Sequence, residues 1–274
     1  RQRYDVGLTA ITDVHEAQAA YDLAIANRLT LEVSVGIAQE QLASITGQSH
    51  SSLQNLSSDF PISKPDPADI DQWIEFAQNN NISIQIGEQL VEQANQNAKV
   101  KTSSLAPSVN AALVYSDSDN ISLSSNAALV ENEITVFELK IEVPLYAGGA
   151  RYAERKQAGF ERVAEQANLV ATKRKVIQSV RSNYLTTVTD TSRVKARQRA
   201  ITSALSALDA TQAGYDAGTR NIVDLLNAQR DLFRAQRDYA NSRYDYIVNS
   251  LNLKFAAGLI GPQDIAEINK WLRP

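Results

Sequence analysis

Charged and hydroxyl-bearing side chains gather twice in this chain, each time around a glycine and at the same spacing. Tyr215-Asp-Ala-Gly-Thr-Arg-Asn-Ile-Val-Asp224 sets a tyrosine, an arginine and two carboxylates close together. Tyr4-Asp-Val-Gly-Leu-Thr-Ala-Ile-Thr-Asp13 repeats the pattern at an offset of 211 (215 − 4), pairing Tyr4/Tyr215, Asp5/Asp216, Gly7/Gly218, Ile11/Ile222 and Asp13/Asp224. The chemistry open to such groups is ion pairing and hydrogen bonding. Asp224 falls in the first turn of a helix, where a carboxylate meets the positive end of the dipole. Thr12 and Asp13 are suited to cap a helix, and Arg220 to stand as a solvated tip charge. Bond-breaking chemistry finds no support. His15 and His50 have no metal-ligand companion at useful spacing, cysteine is absent, and no phosphate-cradling glycine loop or nucleophile elbow occurs. No enzyme activity, metal or cofactor is expected.

The repeat extends past the tip. Ala17/Ala228, Gln18/Gln229, Ala24/Ala235, Leu42/Leu253 and Gly47/Gly258 keep the same register, so a whole helix is duplicated. Shifting residues 82–213 back by the offset lands on positions −129 to 2, so about 130 residues are expected to precede Arg1 if the duplication is complete. Net charge is −4 with both signs interspersed, which gives no electrostatic footprint for nucleic acid. No apolar run approaches the roughly 18 to 20 residues of a membrane-spanning helix. A membrane would have to be crossed by strands.

Long helices must position these tips. Residues 11–46 run without proline and with one glycine, and Gly47 stands ready as a C-cap. Residues 48–67 hold Pro61, Pro65 and Pro67 and read as a connector. Ile70, Trp73, Ile74 and Ala77 mark one stripe of a short helix over 69–78, broken at Asn79-Asn-Asn81, with Trp73 anchoring a small packing cluster. A further helix runs from Ile82 to about Ser104. Residues 107–146 alone carry strand periodicity: Val109, Ala111, Leu113 and Tyr115 alternate with neighbours on the other face. A polar loop is expected at 117–132. In the second strand, from Glu133 to Tyr146, Thr135, Phe137, Leu139, Ile141, Val143 and Leu145 oppose Glu138, Lys140 and Glu142. An apolar face opposite a charged one fits lipid or core on one side and water on the other.

Arg151 to Ala213 then runs 63 residues without proline, about 95 Å as a helix. Two seams mark it: Val163, Ala167, Val170, Arg174, Ile177, Arg181, Tyr184 and Val188 on one line, and Leu169, Lys173, Val176 and Val180 on the other, so two neighbours are expected. Gly214 and Gly218 permit the reversal, and Asn221 or Thr219 can cap the helix from Ile222 to Ala257. Gly258, Gly261 and Pro262 end it before a terminal helix holding Ile265, Ile268 and Leu272.

This order resembles the TolC family of outer-membrane efflux ducts. The resemblance is carried by Val6-Gly-Leu-Thr-Ala-Ile-Thr-Asp13, Pro144-Leu-Tyr-Ala-Gly-Gly149, Ala213-Gly-Tyr-Asp-Ala-Gly-Thr-Arg220 and Ile222-Val-Asp224, and it covers the whole chain. It implies a mainly α protein with a β-barrel portion: long antiparallel coiled-coil helices forming an α-barrel, and strands joining a trimeric 12-stranded transmembrane barrel. Residues 1–47 would be the tip and returning helix of the first repeat, 48–81 a connector and equatorial segment, and 82–106 a helix of the second repeat. Residues 107–146 would be the barrel strand pair with extracellular loop 117–132, 151–257 the α-barrel helices with periplasmic tip 214–221, and 258–274 a C-terminal equatorial segment.

The implied function is the exit duct of a tripartite efflux or type I secretion system in the outer membrane of a Gram-negative bacterium. Its partners would be a periplasmic adaptor (membrane fusion) protein, an inner-membrane RND or ABC transporter, and outer-membrane lipid. Asp224 would line the pore constriction, joined by Asn227 where the family often has a second acid. Three Asp224 carboxylates facing one another would favour cations. Thr12, Asp13, Tyr215 and Arg220 correspond to the family's gate network, and Gly7, Leu8, Gly218 and Thr219 to tip turns that meet the adaptor. A soluble periplasmic coiled-coil scaffold or adaptor with a β insert shares the helices but needs no lipid-facing strand.

Overall fold

A computed structural model describes residues 4, 7, 10–50, 52–104, 106–121 and 129–273. Helices α1 (Ile11–Thr46), α2 (Ile70–Asn80), α3 (Ile82–Ser103), α4 (Ala150–Asp216), α5 (Ile222–Ala256) and α6 (Pro262–Asn269) alternate with strands β1 (Asn55–Leu56), β2 (Ser108–Ile121), β3 (Leu129–Glu142) and β4 (Leu272–Arg273). The chain divides into two compact units, one of residues 1–81 and 176–274, the other of residues 82–175.

In the first unit the helix ends follow from side-chain and glycine chemistry. Asp69 caps α2 by accepting the Asp71 N–H at 3.0 Å. Gly47 ends α1 in the left-handed region at φ 71°, its N–H donating to Ala43 C=O at 2.8 Å. Asn79 and Asn80 belong to α2, and the break comes at Asn81, whose side chain donates to Ala256 C=O at 2.9 Å. Leu272 lies outside the terminal helix. It pairs with Leu56 in an antiparallel two-stranded ladder, β1 to β4, that joins the connector to the end of the chain. Around it the core gathers Leu56, Val194, Tyr246 and Ile247, flanked by Phe60, Ile62, Tyr239, Leu251, Ile268 and Trp271. Tyr246 stitches the connector down: its hydroxyl donates to Ser63 C=O at 2.8 Å and accepts the Ser63 N–H at 3.2 Å. The tryptophan of this cluster is Trp271, whose ring meets Phe60 edge to face. Trp73 is buried beside Phe76, its indole N–H donating to Pro67 C=O at 2.8 Å.

Of the two seams expected on α4, the second is the buried one in this unit. Val176 and Val180 are buried, and the line continues through Thr187, Asp190, Thr191 and Val194. Asp190 explains the polar stretch: Asn249 of α5 donates to its Oδ2 at 2.7 Å. Arg193 sits 2.7 Å from Oδ1, off the donor line, so it offsets the charge without an aligned hydrogen bond. Higher on the helix, Arg197 pairs with Asp238 of α5 at 2.9 Å.

The second unit holds α3, the first part of α4 and the hairpin. α3 and α4 lie close: a Cβ at Gly87 would stand 3.0 Å from Leu169 Cδ1, and Lys173 reaches Glu88 at 2.8 Å while Lys101 reaches Glu154 at 3.1 Å. Here the first seam stays exposed at Val163 and Val170. β2 and β3 pair antiparallel from Ser108↔Glu142 to Ile121↔Leu129. Strand pairing therefore continues through Asp117–Ile121 and Leu129–Asn132, inside the stretch expected to be a loop. Backbone ladder bonds do not require apolar side chains, so a polar composition misjudges where such a hairpin ends.

Candidate functional site

Two features draw the polar and apolar extremes of the chain together: the tip between α4 and α5, and the hairpin β2–β3. At the tip, Gly218 adopts φ 75°, which closes the reversal. Its N–H donates to Tyr215 C=O at 3.0 Å and the Thr219 N–H donates to Gly214 C=O at 2.8 Å, the bond pair of a Schellman motif. Gly214 C=O takes two further bonds, from the Arg220 N–H at 3.2 Å and from Thr219 Oγ1 at 3.0 Å. With its hydroxyl spent there, Thr219 does not cap α5. Asn221 does, its Oδ1 accepting the Asp224 N–H at 2.8 Å. The first tip shows the same geometry where it is described: Gly7 has φ 76° and donates to Tyr4 C=O at 2.8 Å. Leu8 lies outside the described residues.

Asp224 occupies the first turn of α5, with its side chain 40% exposed, and Arg220 Nη1 lies 3.7 Å from its Oδ2. Asn227, one turn on and exposed, accepts a hydrogen bond at Oδ1 from the Arg230 guanidinium. Thr12 is exposed and Asp13 half-buried in the first turn of α1, whose N-cap is Ala10, with no side-chain cap bond. Tyr215 is half-buried near the end of α4. α1 packs against α5, yet no ion pair joins Asp13 to Arg220 among the described residues. The structure thus brings Arg220 to Asp224 within one chain. Arg230 was missed in the sequence, although the i, i+3 spacing of Asn227 and Arg230 is the signal that could have found it.

The hairpin register decides its faces. Val109, Ala111, Leu113 and Tyr115 stand opposite Ile141, Leu139, Phe137 and Thr135, and directly opposed residues share a face. This face is apolar and open, Leu113 being 72% and Phe137 69% exposed. The other carries Ser108, Asn110, Glu138, Lys140 and Glu142 near the hairpin base, with Lys140 and Glu142 ion-paired at 3.5 Å, and Val114, Ile134 and Val136 further along. Among the described residues no strand but its partner borders either strand. Among them too, no helix is long and apolar enough to cross a membrane, and no group of three or more His, Asp or Glu could hold a metal ion.

Comparison with known proteins places this arrangement. Outer membrane protein TolC of Vibrio cholerae serotype O1 is 35% identical over 275 residues, covering 100% of this chain and 63% of that protein. Proteases secretion protein PrtF of Dickeya chrysanthemi is 25% identical over 266 residues, covering 96% of this chain and 57% of that protein. The crystal structure of the outer membrane protein VceC from Vibrio cholerae superposes with a TM-score of 0.73 at 18% identity, over 94% of this chain and 60% of that one. The chain spans about 60% of the length of the proteins it matches. The model of the outer membrane efflux proteins matches residues 73–259, from the buried Trp73 through the hairpin and the tip to the end of α5, and the chain belongs to that family.

Proposed function

We propose that this chain is part of an outer-membrane exit duct for efflux or type I secretion, conducting drugs or secreted proteins passively out of the cell. The observation that carries the reading is the hairpin, with one continuous apolar face open to its surroundings and both outer edges unpaired among the described residues. A two-stranded hairpin is marginal in water, and strands enter lipid only when closed into a barrel without edges. Two strands per chain, or four with a second repeat, fall short of the roughly eight of the smallest membrane barrel, so several chains must share one. A homotrimer closing twelve strands satisfies this. The long helices would then form the periplasmic α-barrel. Its tip would be gated by Thr12, Asp13, Tyr215 and Arg220 and constricted at Asp224 and Asn227, while Gly7, Leu8, Gly218 and Thr219 would meet a periplasmic adaptor coupled to an RND or ABC transporter. The name of the PrtF relative supports protein cargo as one route.

The test is extraction of the natural protein that carries this chain from envelopes. It should require detergent, run as β-rich oligomers whose apparent mass changes on heating, and open channels in planar bilayers. A monomer that stays in solution without detergent would favour the periplasmic scaffold instead.

A further inference from the structure

At the base of the hairpin, the end of α3 and the first part of α4 carry cations that no carboxylate answers. Lys101 and Lys173 pair across the two helices with Glu154 and Glu88, whereas Lys99 and Arg162 are exposed and form no ion pair among the described residues. The carboxylates nearby are occupied by side-chain amides. Glu92 accepts from Gln96 and Asn95, and Glu161 from Gln157 at 2.8 Å. Lys99 and Arg162 line one open groove of about 570 Å³, with Glu92, Asn95, Thr102 and Ser103 along its walls. The hydroxyls of Thr102 and Ser103 donate to the carbonyls of Ala98 and Val100, so an anion in the groove is left to the two cations. Helical side chains lean toward the N-terminus, which tilts Arg162 along α4 toward the hairpin. Where strand passes into helix, Leu145, Tyr146 and Tyr152 stand open, Tyr146 being 89% and Tyr152 69% exposed.

We propose that this groove binds the headgroup phosphate of an anionic phospholipid, a reading that rests on the duct function above. The acyl chains lie along the apolar face of the hairpin, and the phosphate sits between Lys99 and Arg162. Tyr146 and Tyr152 mark the boundary, since a tyrosine ring is apolar while its hydroxyl stays wet. Lys99 precedes Ser103, the end of α3, by four residues, about 6 Å of helix, which keeps its ammonium within reach of the headgroup layer. Two cations against Glu92 leave the groove at +1 (2 − 1), and cations beside a membrane surface attract anionic headgroups. Because α3 and α4 leave the hairpin on the side that the duct reading assigns to the periplasm, the lipid belongs to the periplasmic leaflet.

The experiment titrates the natural protein, in a neutral detergent, with dioleoyl phosphatidylglycerol or dioleoyl phosphatidylcholine and counts the bound lipids by native mass spectrometry. Phosphatidylglycerol should be held more tightly, and added salt should weaken it because the groove is open to solvent. Lys99→Gln and Arg162→Gln should each lower that affinity about fivefold and leave phosphatidylcholine unchanged. Lys195→Gln, which removes an exposed cation elsewhere on α4, should change neither lipid. Inorganic phosphate should not displace the phosphatidylglycerol, since its chains hold it as well. Equal retention of the two lipids, an affinity indifferent to both Lys99 and Arg162, or displacement by inorganic phosphate would overturn the proposal. Heat-modifiable oligomers that need detergent, seen in that same preparation, would then leave the duct reading standing. A protein that stays in solution without detergent and takes up neither lipid would overturn both.

Discussion

At the scale of single residues, two positions in the first unit show how little room the fold leaves. Gly258 ends α5 at φ 72°, and a Cβ there would stand 2.4 Å from the carbonyl oxygen of Asn80 and 2.9 Å from the Asn81 nitrogen. Both obstacles are backbone, so no side-chain rotation relieves them. Gly258→Ala should destabilise the protein by about 2 to 4 kcal/mol, adding left-handed strain to overpacking, and a thermal or denaturant melt will show it. Gly47, its counterpart in the repeat, also has φ 71° but meets nothing within 4 Å, so Gly47→Ala should cost only the conformational part. A melt in which the two substitutions cost the same would contradict this contrast.

Asp264 is the second case. Lys254 lies 2.5 Å from its Oδ1, and its Oδ2 accepts the Gly261 N–H at 2.8 Å, which ties the end of α5 to the start of α6. The hydrogen bond from Lys254 is the main reason that the carboxyl is held below the usual carboxylate range, with the Gly261 N–H and the Lys254 charge adding to it and burial opposing it. Because the folded value is depressed, the stabilisation is fully present above the unfolded value near pH 4 and is lost as pH falls through the lower folded value. Asp264→Asn should therefore reduce stability at neutral pH by about 1 to 3 kcal/mol and flatten the acid limb of the stability profile. An unchanged acid limb would mean that other carboxylates govern it.

Among elements, the hairpin and the tip make the sharper claims. Leu139 stands on the open apolar face opposite Ala111. If that face meets lipid, Leu139→Arg should cost roughly 2 to 4 kcal/mol near the bilayer midplane and less toward the interfaces. Loss of heat-modifiable oligomers, with helical content kept, is the expected result. A substitution on the opposite face, Glu138→Gln, should leave assembly intact and alter only conductance. At the tip, the Arg220–Asp224 pair is 61% and 40% exposed and contributes little to stability by itself. On the duct reading proposed above, a closed gate would draw on contacts between chains. Tyr215→Phe together with Arg220→Ser should lower the barrier to opening by a few kcal/mol, about 1 to 3 for each charge-assisted bond lost, and single-channel conductance should rise. Unchanged conductance would assign closure to other side chains.

On the scale of the whole molecule, apolar side chains stand open along α1, at Leu23, Leu29, Leu31, Val33, Val35, Ile37 and Ile45, and α1 buries no residue. The first seam of α4 is open at Val163 and Val170, and the hairpin face is open at Val109, Leu113, Tyr115, Phe137, Leu139 and Ile141. Such area exceeds what a soluble monomer leaves to water. The 274-residue chain expressed by itself should aggregate or require detergent, and light scattering will tell. A monodisperse preparation in plain buffer would show that these faces need no partner.

The sequence by itself determined the helices, the glycine reversals and the repeat, because all three rest on local causes. Proline-free runs propagate a helix, and Gly47, Gly218 and Gly258 take the left-handed turn that ends one. The alternation of Phe137, Leu139 and Ile141 with Glu138, Lys140 and Glu142 likewise announced a two-faced strand. The tertiary structure decided what depends on partners distant in the chain. Leu272 turned from the expected helix into a ladder with Leu56, since only the fold brings the connector beside the chain's end. It decided which seam of α4 is buried in the first unit, because either line of residues could face a neighbour until α5 supplied Asn249 for Asp190. It also settled which side chain caps α5. Thr219 and Asn221 can both cap by type, asparagine the better, and the fold leaves the cap to Asn221 because the Gly214 carbonyl, freed at the end of α4, takes the threonine hydroxyl.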